Sequence, residues 1–196
     1  MSDPLFDDDD EANTPLTEEE REQLIPSYIT LRSELNEAEQ VNIGDALSWA
    51  SARRRDVLDQ NLLSELHRRM FGEVWRWAGQ YRKSPRNIGI DAYLIPTEVR
   101  LAVDNARYWV ENGTYPPDEI AVRFSHRIVA IHPFPNGNGR FSRLIADLLV
   151  EQLGRTAFTW GSASLVDAGA TRAHYIEALR AADGHDFAAL ISFARS

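Results

Sequence analysis

The chain is constrained most by a turn of eight residues, His132–Gly139, that separates two apolar segments. Residues 120–131 before the turn and residues 141–149 after it carry apolar side chains at helical spacing. The turn contains two prolines, which cannot donate backbone hydrogen bonds and which push the preceding residues out of the α region. We therefore predict two buried helices that meet at this turn.

Composition and charge exclude several classes of protein. The 196 residues include no cysteine, which excludes a disulfide-rich scaffold and a cysteine zinc cluster. The net charge of −9 lies in residues 1–22, and the rest of the chain sums to zero, so we expect no nucleic-acid-binding surface. No apolar stretch approaches the ~18 residues of a membrane span, and the acidic start is unlike a signal peptide. We expect a cytoplasmic protein.

Patterning along the chain predicts three parts. Residues 1–16 form an acidic, solvated and disordered tail. Residues 17–54 form N-terminal helices, the first with Thr17 as N-cap and Glu20 at the capping-box position. Residues 55–196 form one mainly helical core, in which short β-favouring pieces broken by turn residues predict a small β-hairpin.

The turn also has the features of a phosphate site. Its glycines let backbone amides converge at the N-terminus of the second helix, where unpaired donors and the helix dipole favour an anion. Arg140 and Arg143 lie in the first turn of that helix, where a cation opposes the dipole, so an anionic ligand would explain them. The Gly-Lys-Ser/Thr end of a P-loop is absent, and we expect no Walker-type site.

His132 ends the first helix beside this turn. A histidine with the ordinary pKa of ~6.5 can accept a proton at neutral pH. The alternative, a helix cap or a packed side chain, stays open. His126 does not share a helical face with His132 at the i, i+4 spacing, so a histidine metal site is not expected.

The run His132–Arg143 resembles the signature of the Fic/Doc (Fido) family, His-x-Phe-x-Asp/Glu-Gly-Asn-Gly/Lys-Arg-x-x-Arg, and departs from it at Asn136. Trp77–Arg82 and Tyr175–Leu179 extend the resemblance to about residues 55–195. Within the family, the chain is most similar to the bacterial group called mobile mystery protein B. The resemblance implies a mainly α fold, a Fido-type helical bundle with a small β-hairpin flap.

The resemblance further implies transfer of AMP from ATP to a Ser, Thr or Tyr hydroxyl of a target protein. His132 would be the general base, and the loop amides and arginines would hold the phosphates, with Arg143 reaching the γ-phosphate. The implied catalytic residues are His132, Arg140 and Asn136. The implied nucleotide-binding residues are Gly137, Asn138, Gly139, Arg140 and Arg143.

The implied flap is Arg86–Ile95. Its residues Ile88, Gly89 and Ile90 would align an extended segment of the target by strand addition. An ordinary surface hairpin is the alternative.

Asn136 stands where the family has a metal-binding Asp or Glu. We expect Asn136 to offer Mg²⁺ a neutral amide oxygen and to bind it more weakly than a carboxylate would. A catalytically impaired nucleotide-binding or interaction module is therefore one alternative function. A Doc-type protein phosphotransferase, which uses the same loop differently, is the other.

Many Fido proteins carry an inhibitory helix with a Ser/Thr-x-x-x-Glu-Gly/Asn pattern. Glu34 and Glu37 each match the Ser/Thr-to-Glu spacing, but neither is followed by Gly or Asn. We expect Glu34, or failing that Glu37, to pair with Arg143 and to block the γ-phosphate position; the alternative is that both face solvent. The resemblance to the mobile mystery group also implies a helix-turn-helix or antitoxin-like protein partner.

Overall fold

The structure, a computed structural model, describes residues 16–162 and 168–196. These ranges contain no β-strand, and the prediction of a mainly helical fold is confirmed. The predicted acidic tail lies outside the described residues except for Leu16. In chain order, the helices are α1 (Glu18–Arg21), α2 (Arg32–Ser51), α3 (Gln60–Phe71), a 3-10 turn (Ala92–Leu94), α4 (Ile95–Asn112), α5 (Pro117–Ile131), α6 (Asn138–Gln152), α7 (Ala168–Asp183) and α8 (Ala188–Arg195).

Helices α5 and α6 are the two apolar segments that the sequence predicted, and they pack against each other at the centre of the molecule. Ile128 and Ile145, one from each helix, are completely buried. Helix α4 packs on α5, and α7 and α8 pack on each other, with α8 also contacting α5. On another side, α2 packs on α3. None of the helices in the described ranges is long and apolar enough to cross a membrane.

The turn between α5 and α6 ends one helix and starts the next as predicted. His132 is the C-cap of α5 in the left-handed conformation, with φ 54°, and Pro133 prevents the helix from continuing. Gly137, with φ 78°, is the N-cap of α6. The positive φ at Gly137 is one that few other residues adopt, which accounts for glycine at this position.

The predicted β-hairpin flap, Arg86–Ile95, is wrong. Residues 82–91 run as an irregular segment, followed by the 3-10 turn and the start of α4. The backbone N–H groups at the two ends of this segment donate to the end of α5 and to the turn after it, and not to each other. The N–H of Arg82 donates to the carbonyl of Pro133 at 2.9 Å, and the N–H of Ile90 donates to the carbonyl of Ile131 at 3.4 Å. We call residues 84–91 the flap segment.

The guanidinium of Arg82 explains why a hairpin ladder does not form. Arg82 is 2% exposed, and its side chain donates to the carbonyls of Ser84 (2.9 Å), His132 (2.7 Å) and Ile90. One buried side chain therefore binds carbonyls of the segment 82–91 and of the end of α5. Buried backbone groups need hydrogen-bond partners, but these partners need not belong to a neighbouring strand. The segment can therefore be stable without cross-strand pairing.

Helix α1 holds the flap segment through a buried ion pair. The predicted capping box is confirmed, since the Thr17 hydroxyl accepts from the N–H of Glu20 and the Glu20 carboxylate accepts from the N–H of Thr17. The same carboxylate pairs with Arg86 and accepts from the Ser84 hydroxyl at 3.0 Å. The side chains of Arg86 and Glu20 are 4% and 11% exposed. The N-terminal segment is therefore part of the fold and reaches the flap segment directly.

Removal of the Glu20 carboxylate should destabilise the protein. Glu20→Ala leaves the buried guanidinium of Arg86 without its anion, and we expect the free energy of unfolding to fall by about 3 kcal/mol. Urea unfolding followed by circular dichroism measures this change. Glu18→Ala is the matched control, because Glu18 lies in the same helix but is exposed; its effect should stay within about 0.5 kcal/mol. Equal losses for both variants would contradict the role of the buried pair.

Candidate active site

His132 lies buried at the end of α5. The residue is 7% exposed, and its backbone N–H donates to the carbonyl of Ile128 at 3.1 Å, which closes the helix. Burial, with the nearby positive charges of Arg82 and Arg86, lowers the pKa of the His132 imidazole to about 4. The imidazole is therefore neutral at pH 7 and able to accept a proton.

The flap segment lies against His132. Gly89 has φ 88°, and a Cβ at this position would come within 2.6 Å of the His132 Cβ and 3.0 Å of the Ile131 carbonyl oxygen. Only glycine allows the two backbones to approach this closely. Ile88 is 45% exposed and Ile90 is partly buried. The residues predicted to dock a target thus lie beside the predicted base, although in an irregular segment and not in a hairpin.

The loop between the two helices is closed by the side chain of Asn138. Its Oδ1 accepts from the N–H of Phe134 at 2.9 Å, and its Nδ2 donates to the carbonyl of Phe134 at 2.8 Å. Asn138 is 2% exposed and Phe134 is 1% exposed. The sequence predicted a contribution from the backbone amide of Asn138; the structure adds that its side chain fixes the shape of the loop.

The backbone amides of residues 137–139 lie at the N-terminus of α6, as predicted. Gly137 packs directly on a ring of α3, since a Cβ at Gly137 would come within 2.5 Å of the Phe71 Cζ. A Cβ at Gly139 would meet only the tip of the Arg143 side chain at 3.9 Å, so this glycine faces open space. The first N–H groups of a helix have no partner within the helix, and they favour an anion here.

The two arginines of α6 differ in their surroundings. Arg140 forms an ion pair with Glu39 of α2, with 2.7 Å between Nη1 and Oε2. Glu39 is 5% exposed, and its other oxygen accepts from the Trp75 indole N–H at 2.7 Å. Among the described residues, no carboxylate lies within ion-pair distance of Arg143, whose guanidinium carbon is 5.2 Å from the centre of the Tyr175 ring. The charge of Arg143 is therefore more available to a ligand than the charge of Arg140.

The expectation that Glu34 or Glu37 pairs with Arg143 is wrong. The Glu34 carboxylate accepts from the N–H groups of Thr30 (2.9 Å) and Leu31 (3.1 Å), which cap the start of α2, and Glu37 is exposed. The carboxylate that α2 brings to the site is Glu39.

Sequence reasoning missed Glu39, although the sequence contains a signal for it. Leu35, Asn42 and Ala46 are buried along one face of α2, and Glu39 lies on the same face, one turn after Leu35. A carboxylate among the inward positions of a helix indicates a buried partner, because an unpaired buried charge is costly. The spacing motif pointed instead to residues on other faces.

His67 of α3 was also missed. It is completely buried, and burial lowers the pKa of its imidazole to about 3. Its two ring nitrogens lie 3.0 Å from the backbone nitrogen of Gly79 and 3.1 Å from the carbonyl oxygen of Asn136. Its signal in the sequence is a polar residue among the apolar inward positions of α3, such as Leu63, Leu66 and Met70.

Asp147 completes the surroundings of Arg143. It lies one turn further along α6, and burial raises the pKa of its carboxyl to about 6. It accepts from the indole N–H of Trp160 at 2.9 Å and from the N–H of Phe158 at 3.2 Å. Trp160 therefore fixes the segment after α6 to that helix.

The residues around Asn136 do not form a Mg²⁺ site by themselves. The side-chain oxygen of Asn136 accepts from the N–H of Gly137, so this predicted ligand is already hydrogen bonded. Among the described residues, no group of three or more His, Cys, Asp or Glu could hold a metal ion. Hard divalent cations prefer several oxygen ligands, carboxylates above all, and this donor set does not fit that preference.

Sequence comparison identifies relatives of this region. A sequence model of the Fic/DOC family matches residues 57–150. Protein adenylyltransferase Fic of Aedes aegypti is 28% identical over 105 residues, which are 52% of this chain and 21% of the relative. The protein of the same name from Drosophila melanogaster is 31% identical over 103 residues, which are 50% of this chain and 21% of the relative. The chain thus spans about a fifth of the length of these curated relatives.

Solved structures share the fold. The BepC protein of Bartonella tribocorum, described with bound AMPPNP, aligns over 91% of this chain and 97% of its own with a TM-score of 0.69 and 16% identity. Fic-1 of C. elegans aligns over 88% of this chain and 50% of its own with a TM-score of 0.63 and 21% identity. The match over residues 57–150 contains His132, the loop and both arginines, so this region of the chain matches the Fic/DOC family, as its motif predicted.

Proposed function

We propose that the protein transfers AMP from ATP to a Ser, Thr or Tyr hydroxyl of a target protein. The main support for this proposal is a buried, neutral His132 close to the N-terminus of α6, where Arg140 and Arg143 also lie. The relatives named protein adenylyltransferase Fic, and the related fold described with bound AMPPNP, support the nucleotide and the reaction.

His132 acts as the general base in this proposal. Its imidazole accepts the proton of the target hydroxyl while the hydroxyl oxygen attacks the α-phosphorus of ATP. The bond from the α-phosphorus to the bridging oxygen breaks, and pyrophosphate leaves. The products are the AMP ester of the target and a protonated imidazole, which returns its proton to solvent.

The loop and the arginines hold the phosphates. The amides of residues 137–139 and the dipole of α6 are oriented before the nucleotide binds, so they need little rearrangement as charge develops. Arg143 supplies a cation for the γ-phosphate. The target segment lies along Ile88–Ile90 of the flap segment, which places its hydroxyl near His132.

Other parts of the interpretation stay predictions. Membership of the mobile mystery protein B group, a helix-turn-helix or antitoxin-like partner, and a cytoplasmic location rest on the sequence alone. Mg²⁺ at Asn136 also rests on the sequence alone, and the donor set around Asn136 does not favour it. The division into an N-terminal helical part, residues 17–54, and a core, residues 55–196, also stays a prediction.

Labelled ATP tests the reaction and its base. Wild-type protein incubated with a lysate should retain label from the α-phosphate and not from the γ-phosphate, and His132→Ala should retain neither. His174→Ala is the control, because His174 is an exposed histidine. Retention of the γ-label would identify a phosphotransferase instead. Absence of both labels in the wild type would favour an impaired nucleotide-binding module.

The protonation state of His132 can be measured directly. Because burial and two arginines lower its pKa to about 4, its ring signals in carbon–proton NMR spectra should stay unchanged from pH 8 to about 5. Comparison with the spectrum of His132→Ala assigns the signals. A midpoint near the ordinary value of ~6.5 would contradict a buried, positively surrounded imidazole.

We also propose that α2 restrains the activity through Glu39. Its carboxylate neutralises Arg140, which would otherwise be available to the phosphates. Glu39→Gln removes the charge while an amide oxygen can still accept from the Trp75 indole. ATP affinity should rise about tenfold, measured by calorimetry, which corresponds to about 1.4 kcal/mol.

Glu37→Gln is the control for this variant. It removes the same charge from the same helix two residues earlier, at an exposed position. If both variants raise ATP affinity equally, the effect comes from overall charge and not from Arg140. If Glu39→Gln leaves affinity unchanged or lowers it, Glu39 does not restrain the site.

A further inference from the structure

A second buried histidine, His67, packs against the loop between α5 and α6. Its ring stacks on the ring of Phe134 with 3.6 Å between centres and 21° between planes. It also contacts Phe141 edge-on, with 5.5 Å between ring centres. His67 is completely buried and lies on the side of Phe134 that faces α3, so it has no part in the proton transfer assigned to His132.

The hydrogen bonds of His67 fix which ring nitrogen carries the proton. The backbone N–H of Gly79 can only donate, so Nδ1, at 3.0 Å, must accept. In the neutral ring, the hydrogen is then on Nε2, which donates to the carbonyl of Asn136 at 3.1 Å. Gly79 therefore selects the tautomer that can bond to the loop.

This bond determines the orientation of a peptide plane in the phosphate loop. The carbonyl of Asn136 and the N–H of Gly137 belong to one planar peptide, so fixing the carbonyl fixes the direction of the N–H. That N–H is at the N-cap of α6. Phe71, one turn after His67 on α3, packs against Gly137 of the same peptide. Helix α3 thus contacts this peptide through two neighbouring side chains.

We propose that His67 is a positioning residue for the phosphate loop: by holding the Asn136–Gly137 peptide, it directs the loop amides toward the phosphates of the nucleotide. The proposal rests on the proposed function for the identity of the ligand. His67 touches neither the nucleotide nor the transferred proton, and it acts through the backbone of the loop.

Two substitutions by amide side chains test the two hydrogen bonds of His67 one at a time. In His67→Gln, the side-chain nitrogen can reach the place of Nε2 and donate to Asn136, but the acceptor for Gly79 is lost. In His67→Asn, the side-chain oxygen can take the place of Nδ1 and accept from Gly79, but the donor to Asn136 is lost. Both variants remove the stacked ring and place an amide in the same apolar site, so their costs in stability should be similar.

The first measurement compares ligands with and without phosphates. His67→Asn should bind ATP about fivefold to tenfold more weakly than His67→Gln, because the loss of one oriented hydrogen bond has an effect of this size. The two variants should bind adenosine, which has no phosphates, equally. Calorimetry gives both affinities. If both variants lose ATP and adenosine affinity to the same extent, His67 has only a structural role.

The second measurement needs no ligand. The backbone nitrogen and proton signals of Gly137 in NMR spectra should move in His67→Asn and stay near the wild-type position in His67→Gln. If these signals behave as expected but the wild type does not bind ATP, the positioning of the peptide is correct and the proposed function is wrong. If the signals do not distinguish the variants, His67 does not position the loop.

Discussion

The guanidinium of Arg82 is the interaction on which the arrangement of the site depends. A buried cation without close carboxylates is costly unless each N–H finds an acceptor, and here carbonyls supply the acceptors. These carbonyls belong to the flap segment and to His132, so one side chain joins the end of α5 to the segment that covers it. The close approach of Gly89 and the irregular course of the flap segment follow from this arrangement.

Some arginines around the site are paired with carboxylates, and others are not. Glu20 pairs with Arg86, and Glu39 pairs with Arg140, whereas Arg143 has no carboxylate within ion-pair distance among the described residues. Burial first, and then the positive field of Arg82 and Arg86, lowers the pKa of His132 before any ligand binds. A bound triphosphate would oppose that field and raise the pKa. His132 would then become a stronger base only when its substrate is present.

Much of the site could be predicted because its determinants are close in sequence. The prolines and glycines of the turn fix the ends of α5 and α6, and the motif from His132 to Arg143 lies within that turn and the start of α6. The hairpin prediction was wrong because the Arg82 side chain, and not a neighbouring strand, bonds to the Ile90 carbonyl. The prediction that Glu34 pairs with Arg143 was wrong because a spacing motif does not show which face of a helix is buried. Glu39 shares the buried face of Leu35, and Glu34 does not.

The loop also shows how an irregular segment is held in one conformation by regular ones. Asn138 closes the loop on Phe134, and His67 and Phe71 of α3 hold the peptide before α6. The side chain of Asn136 makes a contact that a ligand could replace. It accepts from the N–H of Gly137, a group that a phosphate would also use in the proposed function. A phosphate oxygen that takes this N–H must displace the Asn136 oxygen. An amide is easier to displace than a carboxylate, since charged acceptors form the stronger hydrogen bonds. Under the proposed function, asparagine at this position would therefore obstruct a phosphate less than a carboxylate would, while offering a metal ion only a neutral oxygen.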